Sequence, residues 1–174
     1  IEKKFSEFLP ESCKPIIVKD AYFCLAILSK FIEKTELKSN GKISKNTYID
    51  KDSKISKNFQ LNSFSSIYSN THIKENVYVG SNSNIGPNVT IHKNVIIHDN
   101  VSISNSIIFD DCEIQSGARI GSSGFGFEEK TKKRIYHHGN VIIKKNSNIG
   151  CNTTIDRSVF ESTVIGEFSQ IDNL

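Results

Sequence analysis

Methionine and tryptophan are absent from the 174 residues, and proline occurs only three times. A translated chain begins with Met, so Ile1 reads as a position inside a longer protein. Cysteine is scarce. Cys13, Cys24, Cys112 and Cys151 lie far apart with no C-x-x-C pair, which argues against a disulfide framework or a cysteine zinc site and fits the reduced thiols of a cytoplasmic protein. Long apolar runs are missing too: the longest, residues 21–28, has eight members, whereas a bilayer span needs about 20. Nor does one sign of charge dominate. The 22 Lys and Arg against 19 Asp and Glu leave +3, too little to argue for nucleic acid. What remains is one domain of ordinary size, or one domain with a small appendage.

Two regions separate by pattern. Residues 1–40 read as a short mixed segment. Within it Ile16, Ile17 and Val18 form a possible strand, and Asp20 is a plausible N-cap for a helix running to about Glu33. Phe23, Ile27 and Phe31, with Leu28 and Ile32, fall at i/i+4 spacing and predict one buried helix face. Lys38-Ser39-Asn40-Gly41 then marks a turn or linker.

From residue 41 to 174 the sequence keeps a beat of six. Ile43, Ile49, Ile55, Leu61, Ile67, Ile73, Val79, Ile85, Ile91, Ile97 and Ile103 are all branched aliphatics, a run that chance gives with a probability on the order of 10⁻⁷. From Ile49 on, two residues before each stands a second column, Thr47, Ser53, Phe59, Ser65, Thr71, Val77, Ser83, Val89, Val95 and Val101, small or β-branched except at Phe59. Residues i−2 and i share one face of a strand, so each short strand points one small and one branched side chain inward. The residues between are rich in Asn, Asp, Lys, Ser and Gly, and Asn and Gly tolerate the left-handed backbone of tight corners. Three strands and three corners close a triangular coil of 18 residues. Such coils stack by parallel pairing into an all-β solenoid, and no helix pattern interrupts the stretch to suggest a βαβ fold.

The beat then falters. Ile103 to Ile108 is a five-residue step, and Ile114 and Ile120 restore six. Residues 121–140 are too long for a corner and predict an external loop. Ile143, Ile149 and Ile155 resume the count, a smaller excursion spans 157–163, and Ile165 and Ile171 follow. Stopping at Leu174, four residues into a repeat, suggests a truncated sequence, since a solenoid normally ends in a capping element.

The hexapeptide column resembles the left-handed parallel β-helix of hexapeptide acyltransferases. Longer strings narrow the likeness. Residues 114–127, ending in Gly124-Phe125-Gly126-Phe127, residues 139–143, the NTTIDR string at 152–157 and the IDNL string at 171–174 are similar to blocks of UDP-3-O-acylglucosamine N-acyltransferases. Residues 17–22 resemble the end of that family's uridine-binding N-terminal domain, so 1–40 would be the remnant of a small α/β domain. The resemblance implies transfer of a 3-hydroxyacyl chain from acyl carrier protein to the 2-amino group of a UDP-3-O-acyl-glucosamine, a step of lipid A biosynthesis. It implies a cytoplasmic homotrimer with sites between neighbouring β-helices, no cofactor and no membrane insertion. A histidine acts there as general base and backbone N–H groups hold the oxyanion, both suited to amide formation from a thioester.

In that family the base histidine follows IDNL by about five residues, beyond Leu174. The resemblance therefore leaves Asp172 to orient that histidine and Asn173 to contact substrate, with Gly124, Phe125 and Gly126 bordering the acyl or pantetheine channel, and it predicts negligible acyl transfer by the 174 residues alone. Taken bare, Asp172 is also an ordinary acidic second residue of a hexapeptide, like Asp50 and Asp156. Gly121-Ser-Ser-Gly124-Phe-Gly126 inverts the dinucleotide fingerprint and precedes no helix, so a loop is the simpler reading than a phosphate cradle.

Other signals read as structural. His92 and His98, six apart, fall at equivalent positions on adjacent faces and do not stack, while His137 and His138 sit in a loop with Lys130, Lys132, Lys133 and Arg134, so no metal site is expected. That basic run could attract an acidic carrier protein or substrate phosphates, or be a solvated loop. Two alternatives stay open: another hexapeptide acyltransferase using acyl-CoA or acetyl-CoA, and a non-catalytic β-helix scaffold.

Overall fold

The computed structural model describes residues 1–32 and 37–173, in two compact units divided between residues 36 and 37. The end of the predicted helix at Glu33, and Leu174 of the IDNL string, lie outside the described residues.

In the first unit a 3₁₀ turn, Lys3–Phe8, precedes helix α1, Ala21–Ile32. Asp20 caps the helix as expected, its Oδ1 accepting from the Phe23 N–H at 2.9 Å. The strand expected at 16–18 reduces to one parallel bridge between Glu2 and Val18. The buried helix face is corrected outright: α1 buries no residue, and Phe23, Leu28, Phe31 and Ile32 are all exposed. An i/i+4 stripe records a face built for packing, and none of the described residues of this unit covers it.

The second unit is a parallel β-helix of three six-stranded sheets. The first sheet takes Tyr48–Ile49, Ser66–Ile67, Asn84–Ile85, Ser102–Ile103, Arg119–Ser123 and Thr154–Arg157. The second takes Lys54–Ile55, Thr71–Ile73, Val89–Ile91, Ser106–Ile108, Asn140–Ile143 and Ser162–Ile165. The third takes Gln60–Leu61, Tyr78–Val79, Ile96–Ile97, Glu113–Ile114, Asn148–Ile149 and Gln170–Ile171. Each coil visits the sheets in that order. The register pairs every column residue with its successor, as Ile67 with Ile85, Ile85 with Ile103 and Ile103 with Ile120.

Both inward columns are buried. From Leu61 to Ile149 the branched aliphatics are sealed from solvent, and the column two residues earlier is sealed with them, including the oversized Phe59. Its polar members stay dry because each donates to a backbone carbonyl: across to a neighbouring coil from the Ser65 hydroxyl to Gly80 O at 2.7 Å, Ser83 to His98 O at 2.9 Å and Ser147 to Gly166 O at 2.7 Å, and within the coil from Thr71 to Ser69 O and Ser106 to Ser104 O. Among the described residues no buried side-chain polar atom lacks a partner. Residues 38–41 are no loose linker. The Ser39 hydroxyl donates to Asn58 O at 2.7 Å and the Asn40 N–H to Gln60 Oε1 at 3.0 Å, which ties this stretch to the first coil.

The corners explain the asparagines. Asn58, Asn70, Asn76, Asn82, Asn88, Asn94, Asn100, Asn105, Asn146 and Asn152 all take positive φ, and Phe64 and Phe168 occupy equivalent corner positions. Side chains of successive corners also join. Asn58 donates to Asn76 at 2.6 Å, Asn76 to Asn94 at 3.1 Å and Asn94 to Asp111 at 3.0 Å along the edge from second to third sheet. Asn70 donates to Asn88 at 2.8 Å and Asn88 to Asn105 at 3.0 Å along the edge from first to second sheet. Replacing Asn88 by Ala removes two rungs and forces a Cβ-bearing residue to hold φ +59° without help, a loss of about 1–2 kcal/mol. Asn88→Gly removes the same rungs without the strain. Urea unfolding of the two variants separates the contributions, and equal losses would leave backbone strain without a role.

Candidate functional site

Successive inward aliphatics are five or six residues apart in the regular coils, and both departures, Ile120 to Ile143 and Ile155 to Ile165, fall on one edge. Residues 124–139 and 158–161 each leave the first sheet and return to the second, in successive coils. The same edge carries the Asn70–Asn88–Asn105 ladder. Insertions restricted to one edge leave the stacking intact and build a projecting surface there, which is where the long loop expected at 121–140 lies.

That loop is ordered as a hairpin. Phe127 and Arg134 form an antiparallel bridge, and the Ile135 N–H donates to Gly126 O at 2.9 Å. At the tip Glu128 accepts from the Thr131 hydroxyl and N–H, each at 2.6 Å, and from the Lys130 N–H at 2.9 Å. Those bonds, the Thr131 hydroxyl first, hold its carboxyl below the ordinary carboxylate value.

A His–Arg clamp fixes the hairpin's base. The His137 Nδ1–H donates to Arg157 O at 2.8 Å, and Arg157 returns Nε–H to His137 O at 2.9 Å. The same guanidinium reaches Gly121 O at 3.3 Å. Gly124 is buried against the imidazole: a Cβ there would lie 2.4 Å from His137 Cε1. Gly139 is equally constrained, since its Cβ would stand 2.0 Å from Glu161 O. Arg157 closes the NTTIDR string, and Gly121 and Gly124 belong to the glycine-rich one. Two motifs 36 residues apart at their contact are therefore parts of one assembly.

The residues expected at the site divide. Gly124 and Gly126 lie in the backbone of the hairpin's first arm, and Phe125 between them projects into solvent at 93% exposure. Asp172 and Asn173 stand on another edge, from third to first sheet. There the Thr153 hydroxyl donates to Asp172 O at 3.1 Å, Asn173 Oδ1 accepts from the Cys151 N–H at 2.6 Å, and Asp172 Oδ1 accepts from the Asn173 N–H at 2.8 Å. No hydrogen bond or ion pair among the described residues joins these two to the hairpin.

Below the hairpin a cavity of about 370 Å³ opens on the ladder edge, bounded by Asn88, Asn105, Thr90, Ile107, His138 and Asn140. Its lining is neutral amide and hydroxyl with one aliphatic side chain and one imidazole, a surface suited to a ligand carrying amides or hydroxyls.

Sequence reading missed two arrangements. The His137–Arg157 clamp spans the hairpin and the second excursion, and the arginine ending NTTIDR was its only signal. The other is His98 with Glu113 on the third sheet's outer side, where His98 Nε2 stands 2.7 Å from Glu113 Oε1 and Gln115 donates to the same oxygen at 3.0 Å. The His98 bond, chiefly, holds the Glu113 carboxyl below its ordinary 4.5. His92 does something else: it stacks on Phe109 at 4.7 Å between centroids, with Lys144 also 4.7 Å from that ring. Among the described residues no three His, Cys, Asp or Glu converge as metal ligands, and no helix is long and apolar enough to cross a membrane.

A carboxyl whose pKa is depressed on folding stabilises the fold above its ordinary value, and that contribution is lost as pH falls through the folded value. Glu113→Gln is therefore expected to melt below the wild type near neutrality, with the gap closing in acid. Melting temperatures of both proteins across pH check this; a gap that ignores pH would exclude the carboxylate charge as its source.

Comparison with known proteins now bears on this geometry. Residues 40–93 match the bacterial transferase hexapeptide (six repeats) model, and residues 67–137 match that of the GMPPB C-terminal domain. The fold is a hexapeptide-repeat β-helix, and its residues 40–93 are similar to the hexapeptide repeats of bacterial transferases. UDP-3-O-acylglucosamine N-acyltransferase of Rickettsia bellii is 49% identical over 71 residues, 40% of this chain and 21% of that protein. Its counterpart from Rickettsia rickettsii is 48% identical over the same length. The matched stretch spans about a fifth of these curated relatives.

Solved structures agree on the hexapeptide fold. PerB of Caulobacter crescentus, crystallised with CoA and GDP-perosamine, aligns at a TM-score of 0.55 and 8% identity, covering 82% of this chain and 61% of that one. A hexapeptide transferase family protein of Anaplasma phagocytophilum aligns at 0.51 and 14% identity, covering 76% and 69%. At such identities the likeness concerns the hexapeptide architecture alone.

Proposed function

We propose that this chain is part of an N-acyltransferase that moves a 3-hydroxyacyl chain from acyl carrier protein to the 2-amino group of UDP-3-O-acyl-glucosamine, in lipid A biosynthesis. The observation that carries this reading is the clamp: Arg157 of NTTIDR binds Gly121 and His137, so the strings that carry the family likeness meet as one built element. The 49% identity to a protein of that name over 71 residues supports the same choice.

In the reaction the amine attacks the thioester carbonyl, the C–N bond forms as the C–S bond breaks, and the amine proton passes to a base while the thiolate leaves. Asp172 is assigned to orient the base histidine that the resemblance places after IDNL, and Asn173 to contact the acceptor. Gly124, Phe125 and Gly126 are assigned to the donor side. The cavity beneath the hairpin offers amide and hydroxyl partners to the amide-bearing pantetheine arm. A homotrimer in the cytoplasm completes the proposal.

The test is product mass. The native protein, incubated with hydroxyacyl carrier protein and UDP-3-O-acyl-glucosamine, is expected to yield acceptor plus one hydroxyacyl group. Turnover with acetyl-CoA and none with the carrier protein would move it to the other hexapeptide acyltransferases. Inactivity with both donors would favour a scaffold.

A further inference from the structure

We propose that alternating charges along one corner of the β-helix fix which coil stacks on which, and bar registers in which a coil is skipped. The corner is the one from second to third sheet. Two residues after each inward isoleucine there stand Lys57, Glu75, Lys93, Asp110, Lys145 and Glu167, so the sign changes at every step up the stack. Neighbours in this column meet. Lys93 Nζ stands 2.9 Å from Glu75 Oε2 and Lys145 Nζ 4.0 Å from Glu167 Oε2, while the Lys93 N–H donates to Asp110 Oδ1 at 2.9 Å. The Lys93 bond, chiefly, holds the Glu75 carboxyl below its ordinary value, and the charges of Lys57 and Lys74 add to the effect. The flanking columns do not share the pattern. The residue before carries Lys74, His92 and Lys144, with His92 Nδ1 3.9 Å from Asp110, and the residue after is charged only at Asp111.

The columns beside this corner are blind to a skip. The inward residue is isoleucine in all six coils, Ile55, Ile73, Ile91, Ile108, Ile143 and Ile165, and the corner residues Asn58, Asn76 and Asn94 are identical too. A shift of one coil therefore lays Ile on Ile and Asn on Asn, and identical columns leave register weakly specified. Coils stack on nearest neighbours, and pairing with the wrong neighbour is a characteristic failure of repeat chains. Charge is not blind. Omitting one coil sets Lys57 on Lys93, Glu75 on Asp110, Lys93 on Lys145 or Asp110 on Glu167, like on like in every case. The native register sets unlike on unlike throughout. A single exposed ion pair contributes little. What counts here is the difference between an attractive and a repulsive contact, repeated from coil to coil. The proposal holds whatever the chain catalyses.

The test is refolding from urea by dilution, read by hydrogen exchange with mass spectrometry, in which a skipped coil shows as one coil's length of unprotected backbone. Glu75→Lys with Lys93→Glu reverses the sign at both positions. It keeps their mutual attraction and makes the contacts with Lys57 and Asp110 repulsive. At low salt, molecules with an unprotected coil are expected to rise about fivefold or more over the wild type. The unprotected stretch should lie between residues 57 and 93 or between 75 and 110, and the rise should vanish in about 1 M salt. Adding Lys57→Glu restores attraction on the lower side, so the misfolded population should shrink and keep only the stretch between 75 and 110. A doubly substituted protein that folds only at high salt would support the proposal equally. Full protection of every coil in that protein at low salt would overturn it. So would misfolding that high salt does not relieve, or that the third substitution leaves unchanged, since either traces the fault to the replaced side chains rather than to alternation.

Discussion

Gly121→Ala is expected to cost about 3–5 kcal/mol and to release the hairpin from the β-helix. Gly121 holds φ +81°, where a Cβ is strained whatever the space, and here there is no space. The added carbon would lie 1.7 Å from Ser104 O and 2.8 Å from Ser104 C, both backbone atoms of the coil beneath, so the coils themselves must part. Gly121 O also receives the Ser104 hydroxyl at 3.1 Å and the Arg157 guanidinium at 3.3 Å, so its displacement loosens the clamp. Gly126→Ala is the matched control in the same segment. Its nearest neighbour would be Ile135 Cβ at 3.4 Å, an ordinary van der Waals contact, so the change should stay within about 1 kcal/mol of neutral. Denaturant unfolding measures both, and proteolysis within 124–139 reports the hairpin. Comparable losses for the two variants would mean the close approach at Gly121 is relaxed in solution.

The contrast between those two glycines shows what the sequence makes legible. Both belong to one glycine-rich string, and nothing in the string says which is pinned by a neighbouring coil. The repeat was readable because stacking is local in sequence: Ile67, Ile85 and Ile103 meet at steps of 18, so a column on paper becomes a column in the core. Even the five-residue step is absorbed locally, with Ser104 and Asn105 making a two-residue corner. Contacts that cross insertions were not readable. His137 meets Arg157 twenty residues on, across two departures from the beat. His98 meets Glu113 diagonally, fifteen residues on, in a coil shortened by that step. The helix failed for a different reason. Its stripe correctly marks an apolar face, but periodicity says nothing of what lies opposite, and the described residues of its unit leave Phe31 81% exposed.

Ile103→Asp is expected to collapse the centre of the β-helix, whereas Ile49→Asp should only fray its first coil. Ile103 is sealed between Ile85 and Ile120 of the adjoining coils, in a core made chiefly of aliphatic side chains. Losing a buried isoleucine already costs about 2–5 kcal/mol, and an unpaired buried acid adds several more by desolvation. That sum rivals the whole stability of an ordinary domain, about 5–15 kcal/mol. Position then decides how far the damage travels. A solenoid is held by contacts between successive coils, so a defect at Ile103 cuts the stack into pieces near the length that needs about three repeats to persist. Ile49 begins the first sheet, pairs on one side only with Ile67 and is already half-buried, so its carboxylate turns toward water at the expense of one coil. Hydrogen exchange read by mass spectrometry separates the two outcomes: protection lost on both sides of residue 103 in one variant, and confined to the first coil in the other. Equal, chain-wide loss in both would mean that the coils fold as a single indivisible unit, and that nearest-neighbour stacking does not describe this β-helix.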